Sequence, residues 1–234
     1  MALSWHAAVS SPQHGENTAF FPVFPRRDTR LRHFAGSSFG ISRKKASTIF
    51  YDTAFHHHGE PMENRLYAFD WKYIGDIELG RPNLGKMARL EIYRLFQYTL
   101  RDVLEAEYGT GQSERLLYKA GFLAGMEFCK RYVGKCASFS DFAAKAQTAL
   151  EEMGVGILHI EHADMDKLEF TLTVAEDLNC SGLPDLGHVV CTYDEGFISG
   201  LFESFTGKPF EAKEVDCWCT GDRTCRFEVK PAAE

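Results

Sequence analysis

Apolar residues recur at helical spacing over about 87–108, where Ile92, Leu95, Phe96, Thr99, Leu100 and Val103 share one face and Gly109 ends the run. A second helix is predicted over about 112–132, with Leu117, Ala120, Gly121, Ala124, Gly125 and Phe128 facing inward. Each glycine there lowers helix propensity by about 1 kcal/mol against alanine. Close approach of another backbone, or a bound ligand, offsets that loss, and close packing is the plainer reading. A third helix starts near Ser140 as N-cap, carries Phe142, Ala146 and Leu150, and meets a suitable C′ residue in Gly154. Residues 155–162 and 167–175 are strand-like runs joined by the short link 163–166, which predicts a hairpin. A loop over 177–187 leads to a fourth helix over about 188–205, with Ile198, Leu201, Phe202 and Phe205 on its buried face. Residues 210–218 and 224–229 form two more strands around the turn 220–223. Residues 67–77 read as an irregular lead-in and 80–85 as a turn. Three helices, a hairpin, a helix and a second hairpin describe an α+β domain with an antiparallel sheet.

Composition narrows the function classes. The chain has 234 residues, of which 44% are hydrophobic and 25% charged, an ordinary globular balance. No apolar run reaches about 18 residues, so no membrane span is expected. The net charge of −7 argues against nucleic acid as a partner. That charge is uneven: residues 1–61 hold seven basic and four acidic residues and no cysteine, so residues 62–234 carry the acidity. Residues 1–61 lack sustained periodicity and contain the run His56–His58, read as solvated. They are expected to be a disordered tail or translation upstream of a start at Met62, with a basic interaction arm as the remaining alternative. Residues 62–234 are expected to be one domain, long enough for a core of its own.

Seven cysteines without a signal peptide point to a reducing, cytoplasmic setting and to a metal rather than disulfides. Cys191 is placed in the first turn of the fourth helix, where the dipole favours thiolate. Glu214 and Cys217 lie three apart on the next strand, and Cys225 lies across the final turn. Three thiolates and a carboxylate suit a closed, structural zinc site. Cys180 and Cys219 are rival ligands, and the plain alternative is cysteines acting as small buried hydrophobes. Cys129 and Cys136 receive no role.

Cys191, Glu-Val-Asp-Cys at 214–217 and Gly-Asp-Arg-Thr-Cys-Arg-Phe at 221–227 resemble the 4-vinyl reductase domain family. Cys180-Ser181-Gly182-Leu183-Pro184 and Gly196-Phe197-Ile198-Ser199-Gly200 add to the resemblance, which covers about 85–230. The spacing of Cys191, Glu214, Cys217 and Cys225 is similar to the zinc ligands of sensor domains in aromatic-responsive bacterial transcription activators. The resemblance implies the fold of transport-particle subunits and NO-sensing haem domains, with helices on a curved antiparallel sheet around an apolar cavity. It implies a hydrophobic or aromatic small molecule as ligand, zinc holding the lid of the pocket, and a homodimer through the N-terminal helices. The activators continue into ATPase and DNA-binding modules, and this sequence carries neither. A tetrapyrrole vinyl reductase (or its accessory protein) and an assembly subunit are the alternative functions.

No catalytic residue is assigned. The sequence has no nucleophile elbow and no dinucleotide fingerprint after a strand. Asp194 and Glu195 read as surface charges complementing a helix dipole. His159 and His162 read as ordinary strand residues, His159 being the one haem-ligand candidate, and His188 as a polar residue at the fourth helix's start. Tyr93, Phe96, Leu100, Phe128, Leu172 and Phe202 are candidate cavity-lining residues, each with plain core as its alternative.

Overall fold

The computed structural model describes residues 67–233. The leader 1–61, its boundary at Met62 and the run His56–His58 lie outside the described residues. A short 3-10 turn, Trp71–Tyr73, and a one-turn helix α1, Ile77–Gly80, form the lead-in. Asp70 and Asp76 cap them by accepting the backbone N–H of Lys72 and Leu79. Helices α2 (Leu90–Tyr108), α3 (Thr110–Phe128) and α4 (Phe139–Glu152) follow, then the hairpin β1 (Ile157–Asp164) and β2 (Glu169–Ala175). Helix α5 (Thr192–Thr206) and the hairpin β3 (Phe210–Asp216) and β4 (Cys225–Pro231) complete the order.

The expected class holds: helices pack on a four-stranded antiparallel sheet, ordered β1-β2-β4-β3. Boundaries moved for local reasons. Helix α4 is capped by Ser138 rather than Ser140, because Ser138 Oγ accepts the Asp141 N–H at 3.2 Å while Asp141 Oδ2 accepts the Ala137 N–H at 3.0 Å. Its other end matches expectation: Gly154 has φ +66, Gly154 N donates to Glu151 O, and Val155 N donates to Leu150 O. Helix α3 stops at Phe128 and continues as a π-helical stretch, Cys129–Val133. Helix α5 starts at Thr192, not near 188. The β-branched pair Val189-Val190 precedes it, and Cys191 becomes its N-cap.

The sheet's inner face follows the period of two, with Phe170, Leu172 and Val174 on β2 and Phe227 and Val229 on β4. Phenylalanines fill the space beneath. Phe142 stacks on Phe205 at 4.2 Å, Phe139 on Phe170 at 4.8 Å, and Phe202 lies 4.9 Å from Phe170. Phe202 is thus core, not a cavity wall.

Helix α5 is buried on several sides. A Cβ on Gly121 would lie 1.9 Å from Tyr193 O, and one on Gly125 2.0 Å from Phe197 O. Reciprocally, Gly196 meets Tyr118 O and Gly200 meets Phe122 O. Two glycines four apart on each helix let the backbones touch, so the small-residue stripe on α3 is a helix crossing. Toward β3, α5 presents Glu195 and Ser199. Glu195 Oε1 accepts the Glu214 N–H at 2.9 Å, and Ser199 Oγ accepts the Ala212 N–H at 2.8 Å. These bonds satisfy the outer donors of an edge strand. Glu195 also pairs with Lys213 at 2.8 Å and is almost fully buried. The expectation that Asp194 and Glu195 are surface charges is therefore corrected: the acids bond to β3 and to the 177–190 loop.

Helix α2 is the opposite case. It has no buried residue, and its predicted apolar stripe is open: Ile92, Leu95 and Phe96 are 61%, 62% and 67% exposed. Its polar side docks instead, on the loop before α5. Arg94 donates to Leu178 O (2.9 Å) and Ser181 O (2.8 Å), Tyr98 to Asn179 O, and Arg101 to Val190 O (2.8 Å). Among the described residues no helix is long and apolar enough to cross a membrane.

Candidate metal centre and apolar cavity

Four cysteines converge where the 177–190 loop, the start of α5 and the last hairpin meet. The sulfurs of Cys180, Cys191, Cys217 and Cys225 all lie within 4.8 Å of one another, and all four are buried. The separations are 3.1 Å for Cys180–Cys225, 3.8 Å for Cys191–Cys225 and 3.9 Å for Cys191–Cys217. Each arrives by a local device. Asp177 Oδ1 accepts the N–H of Asn179 (2.8 Å) and of Cys180 (2.9 Å), turning the loop so that Cys180 points inward. Cys191 is the N-cap of α5. A bulge between Glu214 and Asp216 precedes Cys217, which opens the 3-10 turn Trp218–Thr220. Cys225 begins β4.

Glu214, expected among the ligands, occupies an inward position on β3. Its Oε2 accepts the Cys191 N–H at 3.3 Å, and its Oε1 is buried with no hydrogen-bond partner. Burial, then the nearby Cys217 sulfur, pushes its carboxyl up to about 9. The structure thus brings Cys191, Cys217 and Cys225 together, sets Glu214 beside them, and adds Cys180, one of the two rivals. The other rival, Cys219, is buried but outside the set. Its carbonyl accepts the N–H groups of Leu186 and Gly187, and burial pushes its thiol up to about 12.

Four thiols this close share protons. Hydrogen bonds from Cys180, Cys191 and Cys225 hold the Cys217 thiol far below its usual range, while the neighbouring sulfurs push Cys191 far above it. A cation among the sulfurs would compensate the same concentration of charge, so the cluster could hold a metal ion.

Two apolar cavities lie elsewhere in the fold. One, of about 30 Å³, lies under the sheet between Leu158, Leu172, Val174 and Leu201, with Asp177 and Asp194 at one side. The other, of about 340 Å³, lies between the lead-in and helices α3 and α5. Its walls are Phe69, Trp71, Ile74, Leu123, Phe128 and Phe197, with Ala120, Ala124, Glu127 and Tyr193 completing it. Of the expected lining residues, Phe128 walls the larger cavity and Leu172 the smaller. Tyr93 instead donates to Asn179 Oδ1 at 2.7 Å, and Phe96 and Leu100 are exposed. Phe69, Trp71, Tyr193 and Phe197 were missed. The spacing of Tyr193 and Phe197 by four on a glycine-bearing helix was the available signal. His159 and His162 are exposed, so neither faces an apolar pocket, and exposed His188 turns its Nδ1 to Leu186 O.

Residues 170–231 match the 4-vinyl reductase domain. That stretch contains all four clustered cysteines and Glu214, and the match agrees with the family resemblance of the sequence motifs. Similarity to one relative extends over a longer stretch. An uncharacterised protein of Methanocaldococcus jannaschii is 28% identical over 159 residues, covering 68% of this chain and 87% of that protein. Among solved structures, a trafficking protein particle complex subunit 3 from Naegleria fowleri, covalently bound to palmitic acid, superposes with a TM-score of 0.50 at 17% identity. The match covers 62% of this chain and 95% of that one, and it is a likeness of fold. The phenol-responsive sensory domain of the transcription activator PoxR, solved with phenol, gives 0.49 at 16% identity, over 62% of this chain and 76% of that one.

Proposed function

We propose that this protein is a zinc-containing domain that binds a hydrophobic or aromatic small molecule, as a sensor or carrier. The observation that carries the reading is the 340 Å³ cavity with its aromatic and aliphatic walls, a size and lining suited to a small organic ligand. The match to the 4-vinyl reductase domain supports it. Tetrahedral zinc bonded to sulfur at about 2.3 Å sets its sulfurs about 3.8 Å apart, close to two of the separations here. On this reading Cys180, Cys191, Cys217 and Cys225 hold the metal, and Glu214 abuts the set through the Cys191 N–H. Bound zinc would cross-link the 177–190 loop, α5 and the last hairpin. The loop's bonds to α2 then make the metal a support for that helix too. The open apolar stripe of α2 is the surface on which a second copy would pack.

Metal analysis of the purified chain and two variants tests the ligand set. One zinc per chain is expected in the wild type and in Glu214→Gln, and a marked loss in Cys180→Ser. Full zinc in Cys180→Ser with loss in Glu214→Gln would return the carboxylate to the shell. No zinc in the wild type would remove the metal from the reading.

A further inference from the structure

An open depression adjoins the aromatic cavity. The two share Trp71 and Glu127, and Lys130, Arg131 and Tyr132 complete the depression. Those last three residues belong to the π-helical stretch Cys129–Val133. A π turn re-aims side chains relative to a continued α-helix, and such turns are frequent at functional sites. Here it brings two cations to the rim of an apolar cavity, in a chain whose net charge is −7.

The rim charges do not cancel. Glu127 accepts Trp71 Nε1–H at 3.0 Å and Lys130 Nζ–H at 2.7 Å. Its hydrogen bond to Lys130 holds the carboxyl below its usual range, so this pair is an ion pair of zero net charge. Arg131 lies over the Trp71 ring, 4.8 Å from its centroid, is exposed, and has no carboxylate in salt-bridge range among the described residues. One positive charge is therefore left at the mouth, on a guanidinium whose fork matches a carboxylate.

We infer that the cavity takes a carboxylate-headed amphiphile, its apolar body among Phe69, Ile74, Leu123, Phe128 and Phe197 and its carboxylate against Arg131. This rests on the cavity being the ligand site, and it names the ligand class for that site. Glu127 sets the selectivity: it occupies Lys130 and opposes an anion, so it moderates an attraction that Arg131 supplies.

Calorimetric titration of the full chain with decanoate, decanol and decylamine, each below its aggregation limit, tests the assignment. Decanoate is expected to bind about two- to fivefold tighter than decanol, the range of an exposed ion pair, and decylamine weaker than decanol. Arg131→Ala should bring the decanoate-to-decanol ratio toward unity. Glu127→Gln, which frees Lys130 and keeps an acceptor for Trp71, should raise it. Decanol binding as tightly as decanoate, or a ratio unmoved by Arg131→Ala, would overturn the carboxylate assignment while leaving the cavity as a binding site. Absence of binding by all three probes would overturn both.

Discussion

The α3–α5 crossing makes opposite demands on two glycines of one helix. At Gly121, alanine would place its Cβ 1.9 Å from Tyr193 O and 2.9 Å from Tyr193 C, both backbone atoms. Ordinary contact begins near 3.4 Å, so the helices must part by about 1.5 Å. A gap of even 0.5–1 Å forfeits about a quarter to a half of a contact's dispersion energy. Overpacking of this kind costs about 3 kcal/mol, and the better helix propensity of alanine returns about 1 kcal/mol. The net loss is about 2 kcal/mol, a fall in melting temperature of about 4–8 °C for a domain of this size. At Gly111, near the start of the same helix, an added Cβ meets nothing within 4 Å. Gly111→Ala should therefore stabilise, by about 0.5–1 kcal/mol or about 2 °C. Thermal denaturation of both variants by far-ultraviolet circular dichroism, at one zinc concentration, is the assay. Gly121→Ala melting at or above the wild type, in step with Gly111→Ala, would refute the close-crossing reasoning.

Three further outcomes follow from the packing and charge. Phe142→Ala removes a fully buried ring stacked on Phe205 and should cost about 3–5 kcal/mol in urea denaturation. Arg94→Ala removes bonds to Leu178 O and Ser181 O, so hydrogen exchange should quicken over 177–183 and zinc should pass faster to a chromogenic chelator. Burial raises the Glu195 carboxyl above its ordinary value, against the opposing pull of Lys213. The folded state then holds that proton at pH values where the unfolded state has lost it, so this contribution to stability falls as pH rises from the ordinary carboxylate range to the raised folded value. The stability difference between wild type and Glu195→Gln should fall across that window and be flat on either side. A flat difference throughout would contradict the buried placement.

Period and turn chemistry made the class and element order legible, because α4, the two hairpins and the core face of α5 each bury one regular stripe. What periodicity could not supply was the partner of a stripe. Ile92, Leu95 and Phe96 mark an apolar face on α2, yet that face is open and the helix is held by Arg94, Tyr98 and Arg101 on its polar side. Adjacent acids at a helix start look alike whether they face water or, like Glu195, the outer donors of an edge strand. The cysteine cluster was legible for Cys191, Cys217 and Cys225, which flank a helix start and a hairpin turn. That Cys180 joins the cluster, Cys219 stays outside it and Glu214 lies beside it depended on an Asx turn at Asp177, a bulge after Glu214 and a 3-10 turn at Trp218. These devices each rotate a side chain without altering the sequence period.

Native mass spectrometry of the freshly purified full chain tests the central claim most directly, since it weighs metal and ligand together. The expected spectrum carries one zinc and a non-covalent organic adduct. In Leu123→Trp, which sets a larger ring in the wall of the 340 Å³ cavity, the zinc should stay and the adduct should be weakened. A wild-type spectrum at the bare chain mass, even after incubation with zinc and decanoate, would contradict the account.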